Sequence, residues 1–194
     1  MVEPNREEME RAKIVLDDAL AYELDMLNSA VRYMQTDEFS KLTKPKTEIE
    51  WLTCNATIES FWTHARCLME FFSRRKNQDF TANAASAMDF TESFHPSSDM
   101  ETLWGPGRLA ETLNEQISHV GFCGKAEQLQ KLGASEMVRV KSIIDKEVEN
   151  FERTLKRDFR PYWKSRQPVR LDSQLLNSVM TSISHFSRPI GSAN

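Results

Sequence analysis

The sequence predicts an all-α fold, an up-and-down helical bundle of four main helices plus short extra ones, and three observations predict it. Apolar residues recur at three- and four-residue steps through four windows, the spacing that lines one face of a helix with 3.6 residues per turn. No window shows the apolar–polar alternation of a half-buried strand. Only 6 Gly and 7 Pro stand among 194 residues, few for a sheet built on frequent tight turns.

The first helix is expected from Glu7 to about Met34, with Met9, Ala12, Leu16, Leu20, Leu24, Leu27 and Val31 on one stripe. Glu7, Glu8 and Glu10 sit in its first turns, where they complement the positive end of the helix dipole. Thr36 to Pro45 reads as a polar connection. The second helix starts at Thr47 and runs to about Asn77, carrying the stripe Ile58, Phe61, Ala65, Leu68 and Phe72. Residues 78–106 break the pattern and read as a long loop, with Phe80, Phe90, Phe94 and Trp104 available to dock it and a helical turn or two between Met88 and Phe94. A third helix is expected from Arg108 to about Val120, ending at Gly121. The fourth starts after Gly133, with Ser135 as N-cap and the stripe Met137, Val140, Ile144, Val148, Phe151 and Leu155. These elements define a bundle domain over 1–160. Residues 161–194 form a basic, Pro- and Ser-containing tail in which Leu171 to Phe186 could make one more amphipathic helix.

Charge and cysteine usage narrow the functional class. Net charge is −4, yet the first fifty residues hold twelve acids and seven bases, whereas Lys156 to Arg170 holds six bases and one acid, Asp158. Such a basic run either binds phosphate backbones or solubilises a tail. Cys54, Cys67 and Cys123 are an odd number without CxxC spacing, so neither a disulfide framework nor a zinc knuckle is expected. The acidic, polar N-terminus and the lack of any run near twenty apolar residues point to a cytoplasmic protein without a membrane partner.

Two helices carry candidate chemistry. On the second, His64 falls at the edge of the apolar stripe, about 70 degrees from its centre. It reads either as a boundary histidine hydrogen-bonded to a neighbouring helix or as an acid–base group. Glu59, Trp62, Arg66 and Glu70 share the far flank, which is plain surface with an Arg–Glu pair or a partner-facing strip anchored by Trp62. On the third, Glu115 and His119 are four apart and can touch, so His119 is either an acid–base group or an inert helix-ending histidine. No metal and no cofactor are expected. Glu92-x-x-His95 is the single match to di-iron spacing and Pro96 follows it, and GxSxG, GxxxxGK[ST] and GxGxxG are all absent.

Asn55, Ala56, Glu59, Ser60, Phe61, His64, Ala65, Arg66 and Phe71, then Asp79-Phe80, Trp104, and finally Asn114, Ile117, Ser118, His119 and Val120 carry a resemblance. Over residues 7–157 the pattern resembles a group of small, mostly bacterial, all-helical proteins that looks like a diverged branch of the HEPN superfamily. The resemblance implies a helical bundle that often dimerises, with RNA and a second copy of the chain as partners. Many HEPN-like domains are metal-independent RNases in which an Arg four to six residues before a His stabilises phosphate charge while the His moves protons. His119 matches that histidine. Thr112, Leu113 and Asn114 occupy the positions where the arginine should stand, Arg108 is too far away in sequence, and Arg66 is on another helix.

The primary expectation is therefore a HEPN-like, nucleic-acid-associated or defence-related binding module without a complete RNase motif. His64, Arg66, Asn114 and His119 are expected around one polar pocket. The alternatives are an active RNase using His119, with Arg66 or Arg108 as phosphate clamp, and a structural protein–protein module using the Trp62 flank and the basic tail.

Overall fold

The computed structural model describes residues 6–42, 45–73, 85–104, 109–110, 113, 133–165 and 168–172. These are mostly helical, and the described residues contain no strand beyond an isolated bridge between Thr91 and Leu155. The all-α class is as expected.

The first helical run is α1 (Arg6–Lys13), a π-helical segment (Ile14–Ala19) and α2 (Leu20–Met34). Its expected stripe is inside: Ala12, Leu16, Leu20, Leu24, Leu27 and Val31 are all buried. The π segment adds Val15 to the buried side and carries Asp17, whose carboxylate meets Lys164 at 2.8 Å. The polar connection that follows contains a helix of its own, α3 (Asp37–Leu42). Thr36 Oγ1 accepts from the Phe39 N–H at 3.2 Å, and Phe39 is fully buried, so one cap and one aromatic hold this short element.

The central helix is α4 (Glu48–Ser73). A reciprocal cap starts it, with the Glu50 N–H donating to Thr47 Oγ1 at 3.2 Å and the Thr47 N–H donating to Glu50 Oε2 at 3.3 Å. Helix α2 packs on it most extensively. Around it also lie α3, α5 (Ala87–Phe90), α6 (Ser98–Leu103) and α7 (Ala134–Thr154). Burial on several sides explains one departure from expectation. Trp62 is 5% exposed and meets Phe61 edge-on at 5.0 Å, so it is a core residue and no partner-facing anchor.

Within the expected loop of 78–106, residues 85–104 hold α5 and α6. Ser86 and Asp89 form a capping box on α5, and Ser97 Oγ caps α6 by accepting from the Met100 N–H at 3.2 Å. Phe90 and Phe94 dock the segment as expected, and Trp104 packs partly buried against the core. Phe80 lies outside the described residues. Leu109, Ala110 and Leu113 are helical, with Ala110 and Leu113 buried, and the rest of the expected third helix lies outside the described residues.

Helix α7 starts directly after Gly133 as expected, but its N-cap stands two residues before the expected Ser135. Gly133 is the N-cap, and Ser135 stands inside the first turn, donating its hydroxyl to Glu136 Oε2 at 2.8 Å. Its stripe is as expected, with Met137, Val140, Ile144 and Phe151 fully buried. Phe151 joins the elements: its ring meets Phe71 at 5.7 Å, Phe72 at 6.1 Å, Phe94 at 6.3 Å and Trp163 at 5.3 Å. A 3₁₀ turn (Arg157–Tyr162) buries Phe159, and Trp163, Val169 and Leu171 pack on the same core. Leu171 and Asp172 are not helical, and the remainder of the expected 171–186 helix lies outside the described residues. No helix among the described residues is long and apolar enough to cross a membrane.

Candidate functional site

Helix α2 buries Leu20, Leu24 and Leu27, which leaves Glu23 at the margin of its core face. Helix α4 buries Phe61, Ala65 and Leu68, which leaves His64 at the margin of its own. The two margins meet. His64 Nδ1 donates to Glu23 Oε2 at 2.7 Å, and the histidine is only 8% exposed. The Tyr22 ring stands edge-on to the imidazole, 5.6 Å between centroids. His64 is thus a boundary histidine bonded to a neighbouring helix, one of the two forms expected of it.

Glu23 reaches a second α4 side chain one turn further on. Burial first, and then the charge of Glu23 with a hydrogen bond to it, push the Cys67 thiol up to about 11, against the opposing pull of Arg66. A thiol held there is protonated at neutral pH and is a poor nucleophile. Arg66 itself lies 3.7 Å from Glu70, the expected i,i+4 pair, on a half-buried flank. The cluster is therefore a set of satisfied polar groups around one carboxylate. Glu23 holds the His64 ring in place through Nδ1.

Of the residues expected to share a pocket, the structure places His64 and Arg66 on one helix with separate partners. Asn114, His119 and Arg108 lie outside the described residues, as do Thr112 and Glu115. Among the described residues, no group of three or more His, Cys, Asp or Glu is arranged to hold an ion. Glu92 and His95 are both exposed.

A second polar feature lies on α7. Lys141 is 1% exposed, and its ammonium donates to both oxygens of Asp145, at 2.5 and 2.6 Å. Burial pulls the lysine below its ordinary range and pushes Asp145 above its own, with the pair attraction opposing both shifts. Nothing in the sequence singled out this i,i+4 pair, because such pairs are ordinary on exposed helix faces and only tertiary burial distinguishes this one.

A third feature is the basic stretch at the end of α7 and after it. Arg153, Arg157, Arg160, Lys164 and Arg170 are exposed. Between them stand Phe159, buried as a root, and the half-buried rings of Tyr162 and Trp163. Several of these bases are also tied to the fold. Arg160 Nε donates to the Leu155 carbonyl at 3.3 Å, Lys164 pairs with Asp17, and Lys156 donates to the Asp89 carbonyl at 3.0 Å while lying 5.5 Å over the Phe159 ring. In comparison with known proteins, no family model, no curated protein and no solved structure matches the chain.

Proposed function

We propose that the protein is a HEPN-like helical bundle, up-and-down in topology, that works as a nucleic-acid-associated, defence-related binding module rather than as an RNase. The observation that carries this reading is the run of exposed Arg153, Arg157, Arg160 and Lys164 around the rings of Tyr162 and Trp163, fixed to the bundle through Phe159. Cations that track a phosphate backbone, interleaved with rings on which bases stack, are the parts of a sequence-tolerant single-strand surface. The absence of arginine at 112–114 in the sequence supports binding over cleavage.

The test is fluorescence anisotropy with a single-stranded RNA across a salt series. Binding should weaken with salt, and Arg157→Ala with Arg160→Ala should flatten the slope of log K against log salt by about 0.7 for each phosphate no longer neutralised. Binding insensitive to salt, or to both substitutions, would remove the reading. A metal-independent RNase is the second reading, favoured by the match of His119 to the HEPN histidine. It requires cleavage by the parent chain in the presence of chelator and none by His119→Ala.

A further inference from the structure

After its 3₁₀ turn the chain travels along the first helical run toward one end of the bundle. Lys164 meets Asp17 at 2.8 Å, Ser165 and Pro168 share a cavity wall with Leu24 and Asn28, and the Arg170 carbonyl accepts from Gln35 Nε2 at 3.1 Å. Val169 and Leu171 pack on the core along the way. Asp172 is therefore delivered to the C-terminal end of α2, and residues 173–194 follow it.

The same end of the bundle carries an apolar face left open to solvent. Glu23 meets His64, and the short connection makes α2 and α4 antiparallel, so Gln35, twelve residues after Glu23, is level with Leu52, twelve before His64. Helix α2 ends at Met34, and the first turns of α4 project beyond it. There Ile49 is 66% and Leu52 54% exposed, and Ala56 is exposed beside them. Spacings of three and four residues put the three on one stripe, which begins about 60 degrees round the helix from His64. Apolar side chains exposed together mark a contact surface.

What leaves Asp172 has the complementary pattern. Leu175, Leu176, Val179, Met180, Ile183 and Phe186 recur at helical spacing, and residues 173–186 contain no Lys, Arg, Asp or Glu. Such a stripe needs an apolar cover, and it has no charge with which to find a polar one. Three residues, 172–174, reach about 10 Å, which is the separation of two packed helices. A helix over 175–186 is about 18 Å long, against roughly 11 Å from Ile49 to Ala56.

We infer that residues 175–186 form an amphipathic helix that docks on Ile49, Leu52 and Ala56 of α4 in the same chain. The inference stands apart from the RNA-binding reading, since it uses none of the basic residues at 153–164.

The experiment is hydroxyl-radical footprinting of the full chain, read by mass spectrometry at low and high protein concentration. Val179→Asp with Met180→Asp sets two charges in the stripe. Ile49 and Leu52 should be labelled about threefold more slowly in the parent than in this variant, the protection of a face covered roughly two-thirds of the time. In the reverse direction, Leu52→Asp, a change at an exposed site, should speed the labelling of Met180 by a similar factor. Both effects should be the same at either concentration, and the buried Trp62 and Met69 should stay protected in all three chains. Equal labelling of Ile49 and Leu52 in parent and tail variant would overturn the inference, as would a Met180 rate indifferent to Leu52→Asp. Protection that fades on dilution would give the face to a second copy instead. Labelling of Trp62 or Met69 in the tail variant would also sink it, since the tail would then be holding the bundle together rather than covering one face.

Discussion

Glu23 is where two side chains of α4 converge, and it sets the behaviour of both. Its carboxylate holds His64 by Nδ1 and, after burial, adds to the rise of the Cys67 thiol through charge and a hydrogen bond. Alkylation of Cys67 should therefore be slow at neutral pH and should accelerate only as pH climbs toward about 11. Glu23→Gln removes a raising influence, so it should bring that titration down and speed alkylation at a fixed pH near 8. Peptide-resolved mass spectrometry after iodoacetamide treatment separates Cys67 from Cys54 and Cys123. A rate unchanged by Glu23→Gln would show that burial alone governs the thiol. The position of His64 at a helix edge was legible from its angle to the apolar stripe. Glu23 was not, since its partner stands 41 residues away and a lone glutamate on an amphipathic helix carries no mark. Trp62 was misplaced for a related reason: periodicity assumes one buried stripe, and α4 is covered on several sides.

Among the elements, the long helices were legible and the short ones were not. Stripes of four or more apolar positions announce α2, α4 and α7. Helices α3, α5 and α6 are 6, 4 and 6 residues long, too short for a period to show. Their signals were local instead, in the caps Thr36, Ser86 with Asp89, and Ser97. The junction of these elements is Phe151, which touches rings from α4, the 85–97 stretch and the turn after α7. Phe151→Ala should cost about 3–5 kcal/mol, read as a lower urea midpoint with an unchanged m value. A loss under about 1 kcal/mol would show that the neighbouring rings close over the space. The buried Glu147 supports the same junction by accepting the Ser97 N–H at 2.9 Å, so α6 is held to α7 at its N-cap.

Across the whole molecule, the described residues share a single buried cluster running from Ala12 to Phe159. The candidate nucleic-acid surface was legible in part, as a charge imbalance after Lys156. Its attachment to the bundle was not, because the interactions that anchor Phe159, Lys156 and Lys164 join positions far apart in the chain. Around the Thr91–Leu155 bridge, the Glu92 N–H donates to the Thr154 carbonyl at 3.1 Å and the Lys156 N–H to the Phe90 carbonyl at 3.0 Å. These two amides should resist hydrogen exchange with similar protection, measurable by NMR, because neither bond survives if the other opens. Widely different protection would show that the two sides open separately.

That bridge also has a bearing on the birth of the chain. Sixty-four residues separate its two ends, so a ribosome adding roughly 5–20 residues per second leaves Phe90 and Phe94 about three to thirteen seconds with the earlier rings Phe71 and Phe72 before Phe159 and Phe151 are made. Over that interval the sides of the two rings that Phe159 and Phe151 later cover face the crowded exit of the translation machinery, where a holding chaperone would find a handle on the nascent polypeptide.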